Sequence, residues 1–179
     1  AMSRAFRNAS AFLLALAALP GSAAPSLAQG RPGGAGELCL VREYDAAHLA
    51  AHHRQRVAAM LLWVAPPDPR RGWHEARIAI RFRGESAWRR AVTECRAQGS
   101  GRVQCGVECD GGGFTLEPGA RPGERRLRPD RHGLELRESC DGGEVADPPR
   151  LDPPPDDRLF VLRSAPPETC SALFPRERP

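Results

Sequence analysis

The chain has 179 residues, 26 basic and 22 acidic side chains, and a formal charge of +4 at pH 7. Every basic residue is arginine, which excludes lysine Schiff-base and pyridoxal-phosphate chemistry, the Walker phosphate loop and the Ser-x-x-Lys hydrolases. Arg4 and Arg7 carry half of the surplus charge, so the remainder is nearly balanced, which argues against a dedicated polyanion binder and makes nucleic acid an unexpected partner.

In chain order, residues 1–28 read as a cleaved signal peptide. Arg4 and Arg7 make a positive start, Ala11 to Leu19 is a short apolar core, and Ser26-Leu27-Ala28 offers small residues for cleavage. The core falls far below the roughly 18–20 residues of a membrane-spanning helix, so no transmembrane segment is expected. Export to the periplasm or the medium follows, where cysteines pair. Residues 29–36 read as a flexible Gly-rich leader, 37–174 as one β-rich domain, and 175–179 as a disordered tail.

Glu37 to Arg42 predicts a first strand, and Asp45 caps a short helix running through His53. Gln55 to Val64 is a dense apolar run that reads as a central strand, ended by the proline-rich loop Ala65 to Gly72. Ile78, Ile80 and Phe82 then alternate with Arg77, Ala79, Arg81 and Arg83, and Gly84-Glu85 turns the chain. Trp88–Ala97, Arg102–Asp110, Phe114–Glu117, Glu124–Arg128, Leu134–Cys140 and Arg158–Arg163 follow as strands bounded by Gly, Pro or Asp. Val145 to Asp157 is Pro- and Asp-rich and predicts a loop. The expected fold is all-β: a small antiparallel barrel or sandwich of about eight short strands with one short N-terminal helix.

Six cysteines allow fifteen pairings. Cys105 and Cys109 share one strand, about 13 Å apart, and cannot bridge each other. The expected pairs are Cys95–Cys105 across a hairpin turned at Gln98–Gly101, Cys109–Cys140, and Cys39–Cys170 tying the ends together. The sequence before Cys39 lacks a lipobox, so no lipid anchor is expected.

Three groups of residues are candidate sites. His48 and His52 are four apart on the short helix, the spacing of a zinc or copper half-site, although the segment lacks the glutamate of His-Glu-x-x-His proteases. Asp110 and Asp141, in two Cys-Asp-Gly-Gly turns, supply carboxylates for calcium if Cys109 and Cys140 join, and read otherwise as turn residues. Arg77, Arg81 and Arg83, with Trp73 nearby and with the second group Arg125, Arg126, Arg128 and Arg131, are candidates for gripping a polyanion. The sequence holds no nucleophile elbow, Cys-x-x-Cys pair or dinucleotide fingerprint. The expectation is therefore an exported, non-enzymatic binding or structural domain without a cofactor. It would recognise an unknown protein or envelope polymer through the loops Ala65–Trp73, Ala120–Gly123 and Val145–Asp157. A zinc- or calcium-binding protein or a hydrolase using His48 and His52, and an arginine-led polyanion binder, are the alternatives.

Overall fold

The period-two alternation seen in the sequence is the pattern of a sheet with one dry face, and here that face is the inside of a closed barrel. The computed structural model describes residues 36–108, 110–138, 149–152 and 157–174. The predicted signal peptide, all of the leader but Gly36, the tail, and the Cys109–Cys140 pair lie outside the described residues. Strands β1 (Leu38–Glu43), β2 (Val57–Val64), β3 (His74–Phe82), β4 (Arg89–Gly99), β5 (Arg102–Val107), β6 (Gly112–Pro118) and β7 (Glu124–Glu135) form an antiparallel meander. After the two-residue β8 (Arg150–Leu151), which pairs with the far end of β7, strand β9 (Phe160–Ser164) inserts between β7 and β1. That insertion closes an eight-stranded antiparallel barrel, with β8 as an extra flap.

Side chains fill the interior. Leu40, Met60, Leu62, Ile78, Ile80, Phe114, Leu127, Phe160 and Leu162 are fully buried in one cluster. The inward polar residue Thr93 donates its hydroxyl to the Ala76 carbonyl at 3.1 Å, so its burial leaves no orphaned donor. An eight-stranded barrel is just wide enough for such a filling.

The continuous apolar run of β2 has a different cause from the alternation of β3. Helix α2 (Pro167–Ser171) lies on the outer face of β1 and β2, and a second cluster forms there from Cys39, Leu61, Ala79, Cys170 and Phe174. Strand β2 is thus dry on both faces. Helix α2 leaves no mark in the sequence, because five residues behind a proline pair carry no periodicity and are too few to form a helix alone. What holds it is burial of Phe174 and the Cys39–Cys170 disulfide.

Helix α1 (Ala46–Ala51) forms where expected, with Asp45 Oδ1 accepting from the His48 amide at 2.7 Å. It ends at Ala51 rather than His53, where Arg83, just past β3, donates to the carbonyls of Leu49 and His52 at 2.5 and 2.8 Å.

Two further differences matter for function. The separate strands expected at Glu124–Arg128 and Leu134–Cys140 are one strand through Glu135, kinked at Gly133. Gly133 has φ +73°, and a Cβ on the facing Gly112 would lie 2.1 Å from the Gly133 carbonyl oxygen, so the kink needs glycine on both sides. Within Val145–Asp157, residues 150–151 form β8 instead of loop, and Asp157 is wholly buried.

Both described disulfides match the expected pairs. Cys95 and Cys105 face each other across β4 and β5, behind a turn in which Gly99, Ser100 and Gly101 all have positive φ. Cys39–Cys170 spans 131 residues, Cys95–Cys105 only 10. Loop-closure entropy scales with the logarithm of loop length. Replacing both cysteines by alanine should therefore cost roughly 5 kcal/mol for the long bridge and roughly 3 kcal/mol for the short one. Urea unfolding of the two variants checks the order.

Candidate functional site

Register divides the barrel into two ends. The Ala65–Trp73 loop, the β4–β5 turn and the Ala120–Gly123 turn lie at one end; α1, the β3–β4 turn, the β5–β6 turn and the start of β9 lie at the other. The α1 end carries a cleft of about 830 Å³.

Its origin is a change of partner in β7. That strand pairs with β9 through Glu124–Leu127 and with β8 through Leu134–Glu135. Between these points residues 128–133 have neither strand beside them, and the cleft opens there. Arg128, Pro129, Asp130, Arg131 and His132 line one wall; Arg56, Asp152 and Arg158 complete it. Asp157 ties the parts together, since its buried carboxylate accepts from the Arg56 backbone amide at 2.7 Å. This bond sets Arg56, immediately before β2, against the segment that carries Arg158.

The charges in this cleft do not cancel. Asp130 accepts from Gln104 Nε2 at 3.3 Å, and Asp152 takes Arg150 at 3.4 Å. Arg128 reaches only Glu117, at 3.6 Å. Among the described residues no carboxylate lies in ion-pair range of the exposed Arg56, Arg131 or Arg158. Arg131 Nε donates instead to His132 Nε2 at 2.8 Å, which makes that nitrogen the acceptor and places the neutral ring's proton on Nδ1. Guanidinium groups without carboxylates present forked donors suited to carboxylate, sulfate or phosphate oxygens.

The arginines singled out on β3 sit elsewhere and are engaged. Arg77 pairs with Glu75 at 2.7 Å and lies over Trp63; Arg81 pairs with Glu43 at 2.9 Å and lies over Trp88. Arg83 holds the end of α1, and Trp73 carries Arg71 over its ring at the opposite end of the barrel. Of the three loops expected to make contacts, Val145–Asp157 alone reaches the cleft, through Asp152.

His48 and His52 do come together, as stacked rings 4.1 Å apart with 17° between planes, and Tyr44 stacks on the other side of His48. Imidazole lone pairs lie in the ring plane, so near-parallel rings aim them side by side instead of at one point. His48 Nε2 meets Gln55 Oε1 at 3.1 Å, and His52 Nδ1 meets the His48 carbonyl at 2.9 Å. Among the described residues no group of three or more His, Cys, Asp or Glu is arranged to hold a metal. Asp110 sits in the β5–β6 turn with φ 59°; Asp141 lies outside the described residues. Burial pushes the Tyr44 phenol up, opposed by Arg42, whose guanidinium lies 4.3 Å from the ring centroid at the barrel mouth.

Sequence reasoning named Arg128 and Arg131 as part of a group but missed Arg56 and Arg158. Each is a single arginine beside a strand start, and only barrel closure brings them together.

Beside the cleft, Glu117 is held below the usual carboxylate range, chiefly by its hydrogen bond from Arg102, with Arg128 and Arg126 adding to the effect. A carboxylate lowered in the folded state stabilises above its unfolded pKa and loses that contribution as pH falls through the folded value. The stability gap between wild type and Glu117→Gln should therefore be largest near neutrality and shrink as pH drops below the usual carboxylate range, measured by thermal melts across pH. Comparison of the chain with known protein families, curated proteins and solved structures finds no match.

Proposed function

We propose that the protein is an exported, non-enzymatic binding domain that recognises an anionic macromolecule of its compartment through the arginine-lined cleft at the α1 end. The observation that carries this reading is the trio Arg56, Arg131 and Arg158, which share one concave site without a carboxylate partner among the described residues. The nearly balanced charge of the whole chain hides this local surplus, because most other arginines are spent in pairs with Glu or Asp.

Three further features support a binding role. The barrel interior is filled with side chains, which directs recognition to the outside. Leu159 is the single exposed large apolar side chain among the described residues, so an apolar docking face has no support there. Two disulfides suit an oxidising compartment, and among the described residues no helix is long and apolar enough to cross a membrane. Export itself rests on the N-terminal segment.

Tripolyphosphate is a compact multivalent probe for the cleft. It should bind wild type with an affinity that falls steeply with salt, and Arg131→Ala with Arg158→Ala should weaken it by about tenfold or more, since each charge-assisted contact is worth about 1.5–3 kcal/mol. Calorimetry across a salt series reads both. Salt-insensitive binding, or binding unchanged in the double variant, removes the cleft from consideration.

A further inference from the structure

The cleft does not end at its rim. Arg128 lines it and also reaches out to Glu117 on the outer face of β6, where Arg102 from β5 and Arg126 from β7 arrive as well, at 2.7 and 3.8 Å. Three arginines thus share one carboxylate. The register explains the grouping: Glu117 stands opposite Arg126, and Thr115 opposite Arg128 and Gln104. Outward side chains on β5, β6 and β7 therefore form two cross-strand rows, Arg102–Glu117–Arg126 and Gln104–Thr115–Arg128, with Asp130 next along β7 toward the cleft. Glu117 is 14% exposed, whereas Arg102, Arg126 and Arg128 are 57%, 44% and 48% exposed, so the cationic ends are the ones that face solvent.

We infer that the ligand is a linear acidic polysaccharide laid along the outer face of β7, with one stretch in the cleft and the next over the Arg102–Arg126–Arg128 group. This rests on the cleft reading above and names the class of ligand. Length is the first argument. From Arg126 to Arg131 the strand covers roughly 17 Å at about 3.4 Å per residue, longer than one disaccharide unit and far longer than a single phosphate group. Composition is the second. Gln104, Thr115 and Asp130 interleave with the arginines and already hydrogen-bond one another, with Thr115 donating to Gln104 at 2.7 Å and Gln104 to Asp130 at 3.3 Å. Such groups accept from and donate to sugar hydroxyls between the charged units, which a bare polyphosphate lacks. The third argument sets nucleic acid aside: Trp63 and Trp88 pack against the outer cluster around Leu61 and Ala79, Trp73 lies at the opposite end, and His132, the single aromatic ring among the described residues lining the cleft, is held by Arg131, so cleft and track lack the phenyl, phenol or indole platform on which successive bases stack.

The test uses oligogalacturonates and heparin oligosaccharides of two and of about ten units, a thymidylate oligomer of matched charge, and tripolyphosphate, each titrated calorimetrically at fixed salt. In at least one saccharide series the longer chain should bind about tenfold more tightly than the disaccharide. Arg102→Gln with Arg126→Gln should abolish that advantage while leaving tripolyphosphate affinity within about twofold. Glu117→Gln acts in the opposite sense: it frees three guanidinium groups and should tighten the longer saccharide by about threefold, more than it tightens tripolyphosphate, which in the cleft meets Arg128 alone of the three. Because one variant is expected to lose and the other to gain, a loss caused by poor folding is told apart from a loss of contacts. Length-independent binding in both series, or a longer saccharide insensitive to both variants, overturns the track. Thymidylate binding as tight as the saccharide overturns the choice of polymer. Failure of tripolyphosphate to bind wild type is a separate result that removes the cleft.

Discussion

Closure of the barrel depends on a strand of five residues. Strand β9 meets β1 through two residue pairs and β7 through four, and every other neighbour in the sheet is joined by a local connection. Without that seam the meander would be an open sheet with two unpaired edges and a half-solvated apolar face. Both flanks of β9 are tied down: Asp157 before it binds the Arg56 amide just ahead of β2, and α2 after it is bridged to β1. The same Asp157 contact places Arg56 and Arg158 at the cleft, so the element that closes the fold also assembles the site.

Arginine serves this surface in two ways. Where a carboxylate sits across the strand or a few residues away, as at Arg77, Arg81 and Arg89, the guanidinium is neutralised locally and in two of these cases also covers a tryptophan. Such exposed pairs contribute little to stability and keep the barrel wall polar. Where β7 leaves β9 for β8, Arg56, Arg131 and Arg158 have no carboxylate in ion-pair range among the described residues. The distinction follows from strand pairing.

Much of the fold could be read from residues. Ile78, Ile80 and Phe82 alternate because β3 has one dry face, and Gln98–Gly101 marks a hairpin because three consecutive positive φ values need small residues. The run in β2 also identified a central strand, which the structure buries on both faces. What covers it was not legible, since α2 announces itself neither by length nor by period. Gly133 was misread as a boundary: a glycine between two alternating stretches signals a turn or a kink equally well, and only the approach of Gly112 selects the kink. For the site, the contiguous group around Arg128 and Arg131 was visible. Arg56 and Arg158 were not, because they stand 102 residues apart and meet through a buried aspartate that looks like any other in a Pro/Asp-rich stretch. On β3, arginine spacing suggested a face for binding, yet Glu75 two residues from Arg77, Glu43 on β1 and the carbonyls around the end of α1 had already claimed those side chains.

The Cys39–Cys170 bridge also sets what a cut in the chain can do. A single cleavage in any loop between these two residues leaves a fragment bearing Cys39 and another bearing Cys170, still joined through sulfur. The pieces cannot diffuse apart, and each remains at the high effective concentration of an intramolecular partner. Where proteases act on exposed loops, the barrel can therefore be nicked without losing any strand, and only reduction releases the parts.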